Sequence, residues 1–119
     1  MSPELENKLY SSFPKLLAQK DLPKEQTCMC WGIDVPDNWY TAIHSACETI
    51  QEYIDNYNIK QIEFTQIKEK FGKLCMYYNG KDDYVDGVIS VTSRMVSEDK
   101  RSYMDGVIDA AKRIISNEP

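Results

Sequence analysis

Residues Gln61 to Asn79 alternate apolar and polar side chains on either side of one glycine, Gly72, and this pattern constrains the fold most. Ile62 and Phe64 fall on one face of a strand, Glu63 and Thr65 on the other, because successive strand side chains point to opposite faces. Past Gly72, Leu74, Met76 and Tyr78 share a face, and Cys75 and Tyr77 take the opposite one. Gly72 supplies the backbone freedom that a tight turn needs. Ile67 breaks the alternation, which predicts a bulge or a strand covered on both sides. Two strands do not stand alone in water, so helices must cover one face of this hairpin.

The cover is legible on the N-terminal side. Trp39, Ile43, Cys47, Ile50, Ile54 and Tyr57 recur at steps of three and four and predict a long helix from about Asp37 to Tyr57. Asp34 or Asp37 is placed to accept the free N–H groups at its start. Residues Pro3 to Ala18 read as a helix with Leu5, Leu9, Leu16 and Leu17 inward, and Pro14 divides it into a longer helix and a short second turn. Asp21 to Gln26 is a loop. Residues 27–35, containing C-M-C-W-G-I-D-V, read as a packed loop or as a third strand of a small sheet.

The last third of the chain contains a repeat. Y-V-D-G-V-I-S-V-T-S-R-M-V-S begins at Tyr84 and Y-M-D-G-V-I-D-A-A-K-R-I-I-S begins at Tyr103, identical at seven of fourteen positions. Val85, Val88, Ile89, Thr92, Met95 and Val96 form the apolar stripe of the first copy, and Met104, Val107, Ile108, Ala111, Ile114 and Ile115 that of the second. Asp83 with Asp86, and Ser102 with Asp105, give each copy an N-terminal cap signal. An offset of nineteen residues rotates a helix by about 100° beyond whole turns, so on one straight helix the two stripes face different ways. Two helices joined around Glu98 to Arg101 is the preferred reading, with one long bent helix as the alternative. The expected fold is therefore a single α+β domain over residues 1–119. It has a β-hairpin or three-stranded antiparallel sheet packed against a long helix, followed by two C-terminal helices within 82–117.

The 119 residues suffice for one core, and 42% hydrophobic with 28% charged residues is a globular composition. A net charge of −5 repels phosphate backbones, so direct nucleic-acid binding is not expected. Lys68, Lys70 and Lys73 nevertheless cluster at the hairpin tip, as a solvated end or as a tip that touches a partner. No stretch approaches the roughly 18 apolar residues of a membrane span, and Glu4, Glu6, Lys8 and Lys15 interrupt the opening segment. The expected compartment is the cytosol, with the four cysteines reduced.

Chemically, Cys28, Cys30, His44 and Cys47 give C-x-C followed by H-x-x-C, a set that zinc could use. Against it, Cys47 lies on the apolar stripe and His44 projects well off its centre, so free thiols behaving as small hydrophobes is the reading preferred. His44 is the single histidine, and an i,i+3 neighbour such as Cys47 rarely makes a nucleophile–base pair across a substrate cleft. Asp82, Asp83, Asp86 and Asp105 read as helix caps. The aromatics are numerous, with eight tyrosines and two tryptophans. Trp31, Trp39, Tyr40, Tyr77 and Tyr78 are candidates for a recognition surface as well as for the core. Neither a cofactor nor an enzymatic activity is expected.

Two segments, C-M-C-W-G-I-D-V-P-D-N-W-Y from Cys28 and Q-I-K-E-K-F-G-K-L-C-M-Y-Y from Gln66, resemble small proteins of unknown function encoded by bacteriophages and prophages. With the opening helix the likeness covers roughly residues 4–80, and K-E-K-F-G at Lys68 to Gly72 is its specific part. Such proteins usually have arginine where Cys75 stands, and many continue into a C-x-x-C tail; this chain has neither. The resemblance carries no functional residues. Together with the small acidic single domain and the absence of a catalytic constellation, it points to a phage accessory protein in the host cytosol that acts by binding. The target would be a component of a bacterial defence system, either a host protein, as for an anti-CRISPR-type inhibitor, or a small nucleotide signal that is sequestered. A zinc-stabilised regulator or metal-dependent enzyme using the cysteine–histidine set, and a homodimer through the C-terminal helices, are the rival readings.

Overall fold

A computed structural model describes residues 1–96. Helix α1 spans Pro3–Ser12. Ser2 caps it, its hydroxyl accepting from the Leu5 N–H at 3.4 Å, and Pro3, Glu4 and Glu6 suit the first turn. The helix stops at Phe13 (φ −130°, ψ 60°), because the residue before a proline is driven out of the helical region, and here that proline is Pro14. A turn then buries Leu16 and Leu17 completely and leads into a 3₁₀ turn at Ala18–Asp21.

A second 3₁₀ turn, Asp37–Trp39, runs straight into helix α2, Tyr40–Asn56. Trp39, Ile43, Cys47, Ile50 and Ile54 are buried as the periodicity predicts, whereas Tyr57 is 72% exposed. Asn58, at φ +52°, ends the helix in a left-handed cap, and Ile59 N–H donates to the Ile54 carbonyl at 3.0 Å. Tyr57 thus sits at the cap, where the stripe no longer points inward. The expected aspartate cap at the start is not made. No side chain caps α2, and Asp37 Oδ1 instead accepts from the backbone N–H of Ser2 at 2.7 Å.

Strands β1 (Phe64–Lys70) and β2 (Lys73–Tyr78) pair antiparallel. Phe64 is opposite Tyr78 but Gln66 is opposite Tyr77, so Thr65 is the extra residue of a bulge. The bulge returns Ile67 to the buried face beside Phe64, which explains the break in alternation. Among the described residues the sheet has these two strands, and the third antiparallel strand does not form. Residues 27–35 turn tightly at Met29–Trp31 and meet β1 at one parallel bridge, Asp34 with Lys68. Gly32 (φ +85°) bends the segment before that bridge, and Pro36, lacking an N–H, stands just beyond it.

Helix α3, Asp83–Val96, is the first repeat copy. Its cap is Asp82 rather than Asp83, with Asp82 Oδ1 accepting from the Val85 N–H at 3.0 Å. Val85 and Thr92 are buried and Val88, Ile89 and Val96 pack on the core, but Met95 is 55% exposed and belongs to another face. The second repeat copy, expected as a further helix, lies outside the described residues. One cluster joins all elements. Leu9, Leu16 and Leu17, Met29 and Ile33, the α2 stripe, Phe64 and Ile67, Leu74 and Met76, and Val85 pack together. Each large apolar side chain so buried is worth about 1.5–3 kcal/mol. The fold is α+β, and no described helix is long and apolar enough to cross a membrane.

Candidate functional site: the outer face and tip of the hairpin

The two-residue loop between β1 and β2 fixes what the hairpin shows to solvent. Phe71 (φ +52°) and Gly72 (φ +78°) are both left-handed, as a type I′ turn requires. Glu69 folds back over this turn, its Oε1 accepting from the Gly72 N–H at 2.6 Å. Directly paired residues share a face. Ile67 with Met76 and Phe64 with Tyr78 therefore face inward, as does Leu74, whose partner Glu69 is on the same face but exposed at the tip. Lys70 with Lys73, Lys68 with Cys75 and Gln66 with Tyr77 face outward. All three lysines singled out in the sequence thus lie on one face, with Tyr77, 47% exposed, in the same row.

Two features of the tip run against local stability. A left-handed conformation costs an L-residue roughly 1–2 kcal/mol, and I′ turns favour Asn, Asp or Gly at the place Phe71 holds. The Phe71 ring is 85% exposed, so it recovers no burial in exchange. Lys70 and Lys73 are directly opposite each other, an arrangement that like charges make unfavourable. The lysine ion pairs among the described residues are made by Lys20 and Lys81, and none by the hairpin lysines.

Depressions flank the hairpin on both sides. On the β1 side, one of about 480 Å³ is lined by Thr27, Cys28, Gln66, Lys68 and Tyr77. On the β2 side, a groove of about 560 Å³ runs between the strand and α3, with Lys73 and Arg94 among its lining residues. The β2 edge pairs with no described strand, and Ser93 Oγ donates to the outward carbonyl of Leu74 at 2.7 Å. Tyr77 and Cys75 stand next to each other on this outward face, and the Cys75 thiol raises the Tyr77 phenol above its ordinary value.

The remaining aromatic candidates divide. Trp31 is 71% exposed in the short turn beside β1. Trp39 is core, 3% exposed, and is no part of a surface. Tyr40 is half-buried, its ring 5.9 Å from that of His44. Tyr78 is also half-buried, its hydroxyl donating to Asp86 Oδ1, which makes it a strut between β2 and α3. That carboxylate also pairs with Lys81, and Lys81 and the Tyr78 hydroxyl together hold Asp86 below the usual carboxylate range. Phe71 and Arg94 were not singled out by the sequence reading. The signal for Phe71 was its place directly before Gly72 at the centre of the alternation.

The cysteine–histidine set does not converge. Cys28 is exposed on the β1 side, and the Cys30 thiol donates to the Thr27 carbonyl. Cys47 is fully buried, and burial pushes its thiol up to about 12. His44 meets Phe13 edge-on with ring centres 5.0 Å apart, and its Nδ1 is 3.9 Å from Glu48. Among the described residues no three His, Cys, Asp or Glu side chains gather as metal ligands. The Cys47 thiol, inert in the core, is not placed to act as a nucleophile for His44.

The fold and the site together define a small α+β protein with a cationic, aromatic hairpin on an acidic body. No protein-family model, curated protein or solved structure matches the chain.

Proposed function

We propose that this chain is a binding protein that presses the outer face and tip of its hairpin against an acidic patch on a partner protein. The carrying observation is the tip itself, where an exposed phenylalanine occupies a left-handed turn position between two opposed lysines. Departures from local rules that nothing in the fold compensates are expected where a surface is kept for contact. Phe71 supplies the apolar anchor. Lys68, Lys70 and Lys73 supply complementary charge, and Tyr77 and Trp31 supply rigid aromatic area.

The whole chain carries −5 with Lys68, Lys70 and Lys73 counted, so the acidic residues outweigh the basic ones elsewhere, whereas the contact face is locally positive. The partner surface that fits it is therefore rich in carboxylates. A nucleic acid would meet the same lysines but would also be repelled by the acidic remainder of the molecule. A small nucleotide is the weaker fit, because the depressions beside the hairpin are open to solvent rather than enclosed. The likeness of the Lys68–Gly72 segment to phage-encoded proteins supplies the setting: an accessory protein in a bacterial host, blocking a component of a defence system.

Affinity capture from bacterial extract, with wild type beside the Lys70→Glu/Lys73→Glu variant, tests this reading. Wild type should retain a protein at near one equivalent, and the charge-reversed hairpin should lose it. Capture of no stoichiometric protein, or equal capture by both, contradicts the reading. Recovery of a nucleotide in place of a protein does the same.

A further inference from the structure

The two edges of the hairpin are not alike. On the outer edge of β1 the chain itself takes the main-chain groups. Phe64 N–H donates to the Leu16 carbonyl at 2.8 Å, and Cys28 N–H to the Thr65 carbonyl at 3.1 Å. Asp34 N–H donates to the Ile67 carbonyl at 3.1 Å, and Glu69 N–H to the Asp34 carbonyl at 2.8 Å. Directly paired residues of an antiparallel ladder either bond to each other or both turn their main-chain groups away. Phe64, Ile67 and Glu69 turn theirs away, so their partners Tyr78, Met76 and Leu74 present N–H and C=O along the outer edge of β2. Among the described residues the Leu74 carbonyl has a partner there, the Ser93 hydroxyl, and the main-chain groups of Met76 and Tyr78 have none. An open strand edge is a template for another strand.

This edge faces the groove of about 560 Å³ between β2 and α3, which is lined from both faces of the strand, by Cys75 and Tyr77 and by Leu74 and Met76. Ser93 meets Leu74 at one end and Asp86 meets Tyr78 at the other, so α3 runs antiparallel to β2. The ends of the groove therefore differ in charge. Lys73 and Arg94 stand at the first, neither paired with a carboxylate among the described residues, and Asp86 stands at the second.

We propose that the groove takes an extended segment of a partner protein as a third strand, antiparallel to β2 and acidic at its C-terminal end. Main-chain pairing at Met76 and Tyr78 supplies the affinity, as in other cases of strand addition. Antiparallel pairing is the more stable kind, and it brings the C-terminal end of the segment beside Lys73. Carboxylates at that end meet Lys73 and Arg94, whereas at the other end they would meet Asp86. This inference rests on the reading of the hairpin as a contact surface for an acidic protein, and it names the element of the partner that enters.

The probe is an acetylated peptide of about seven residues, alternating threonine and valine and ending in two aspartates, long enough to cover the six residues of β2. It is titrated into the isotope-labelled 119-residue chain at a concentration where light scattering shows a monomer. The amides of Met76 and Tyr78 should shift and exchange more slowly as the peptide binds. Methylating the peptide nitrogens that face β2 should weaken binding at least about tenfold. Arg94→Glu, on an exposed side chain, should weaken it about fivefold, as should two lysines in place of the aspartates. No shift at millimolar peptide, or equal binding of the methylated peptide, overturns the proposal. Shifts confined to Phe71 and the tip lysines also overturn it, while leaving the hairpin a contact surface. Protection of the Met76 and Tyr78 amides before peptide is added overturns it too, and assigns the edge to the chain itself in a monomer or to a second copy in a dimer. Capture with the Lys70→Glu/Lys73→Glu variant judges the broader reading separately.

Discussion

Replacing Gly32 by alanine should be among the most damaging single-methyl additions in this chain. Gly32 adopts φ +85°, ψ −170°, a region essentially confined to glycine, and holding another residue there costs of order 1–3 kcal/mol. Space makes the cost larger. A Cβ at position 32 would lie 2.5 Å from Glu6 Oε1, the oxygen that accepts from the Ile33 N–H at 2.6 Å. The Glu6 carboxylate must move, and the hydrogen bond tying α1 to the 27–35 segment goes with it. A hydrogen bond to a charged group contributes about 1.5–3 kcal/mol, nearer the low end for a half-buried carboxylate. The two effects together give about 3 kcal/mol, a large share of the roughly 5–15 kcal/mol typical of a folded domain. Urea unfolding of wild type, Gly32→Ala, Glu6→Ala and the double variant measures it. In the Glu6→Ala background the cost of Gly32→Ala should fall to the backbone strain alone. Gly80→Ala is the comparison, because Gly80 is also left-handed (φ +121°) but has nothing within 4 Å of the added carbon. A loss under about 0.5 kcal/mol for Gly32→Ala, or an equal loss with and without Glu6, would refute the reasoning.

Other outcomes follow from burial and charge. Phe64→Ala empties the middle of the core and should cost about 3–5 kcal/mol, whereas Tyr57→Ala, on an exposed ring, should stay within about 0.5 kcal/mol; similar losses in urea would contradict the assignment of inside and outside. Thiol labelling at neutral pH should modify exposed Cys28 first and leave Cys47 unmodified until the protein unfolds, since burial holds the Cys47 thiol protonated; early labelling of Cys47 would show that α2 does not bury it. The Val85 N–H holds Asp82 below the usual carboxylate range, and Lys81 with Tyr78 does so for Asp86. A depressed folded value means stability that is complete above the unfolded value of about 4 and is lost as pH falls through the folded one. Hydrogen exchange should therefore show the first turn of α3 loosening below about pH 4, and Asp86→Asn should weaken that dependence; protection independent of pH would count against it.

The hairpin and α2 were legible because their burial follows simple periods. Leu74, Met76, Ile43 and Ile50 go inward where steps of two or of three and four place them. The bulge announced itself at Ile67, which broke the alternation. What was not legible depended on partners distant in sequence. The 27–35 segment has strand-like composition, yet Gly32 folds around a carboxylate that α1 delivers, and the segment touches β1 only at its two ends, through Thr27 and Cys28 at Thr65 and through the Asp34 bridge. Asp37 satisfies the sequence rule for a cap, but the N–H of Ser2 claims it. Adjacent aspartates at 82 and 83 offer equivalent caps on paper, and the chain path selects Asp82. At the site, the clustering of Lys68, Lys70 and Lys73 was visible, but their common face depended on the register set by a two-residue turn. Trp39 and Trp31 read alike as aromatics, and only packing separates the buried one from the exposed one.

The central claim is that the hairpin tip is shaped for contact at the expense of local stability. Phe71→Asn tests it in a single variant, because asparagine suits the left-handed position and the exposed ring contributes no burial. Unfolding free energy and capture of the partner from bacterial extract are measured on the same preparation. The account predicts a variant more stable by about 1 kcal/mol that no longer retains the partner. A variant that is less stable than wild type, or that binds as well, would contradict it.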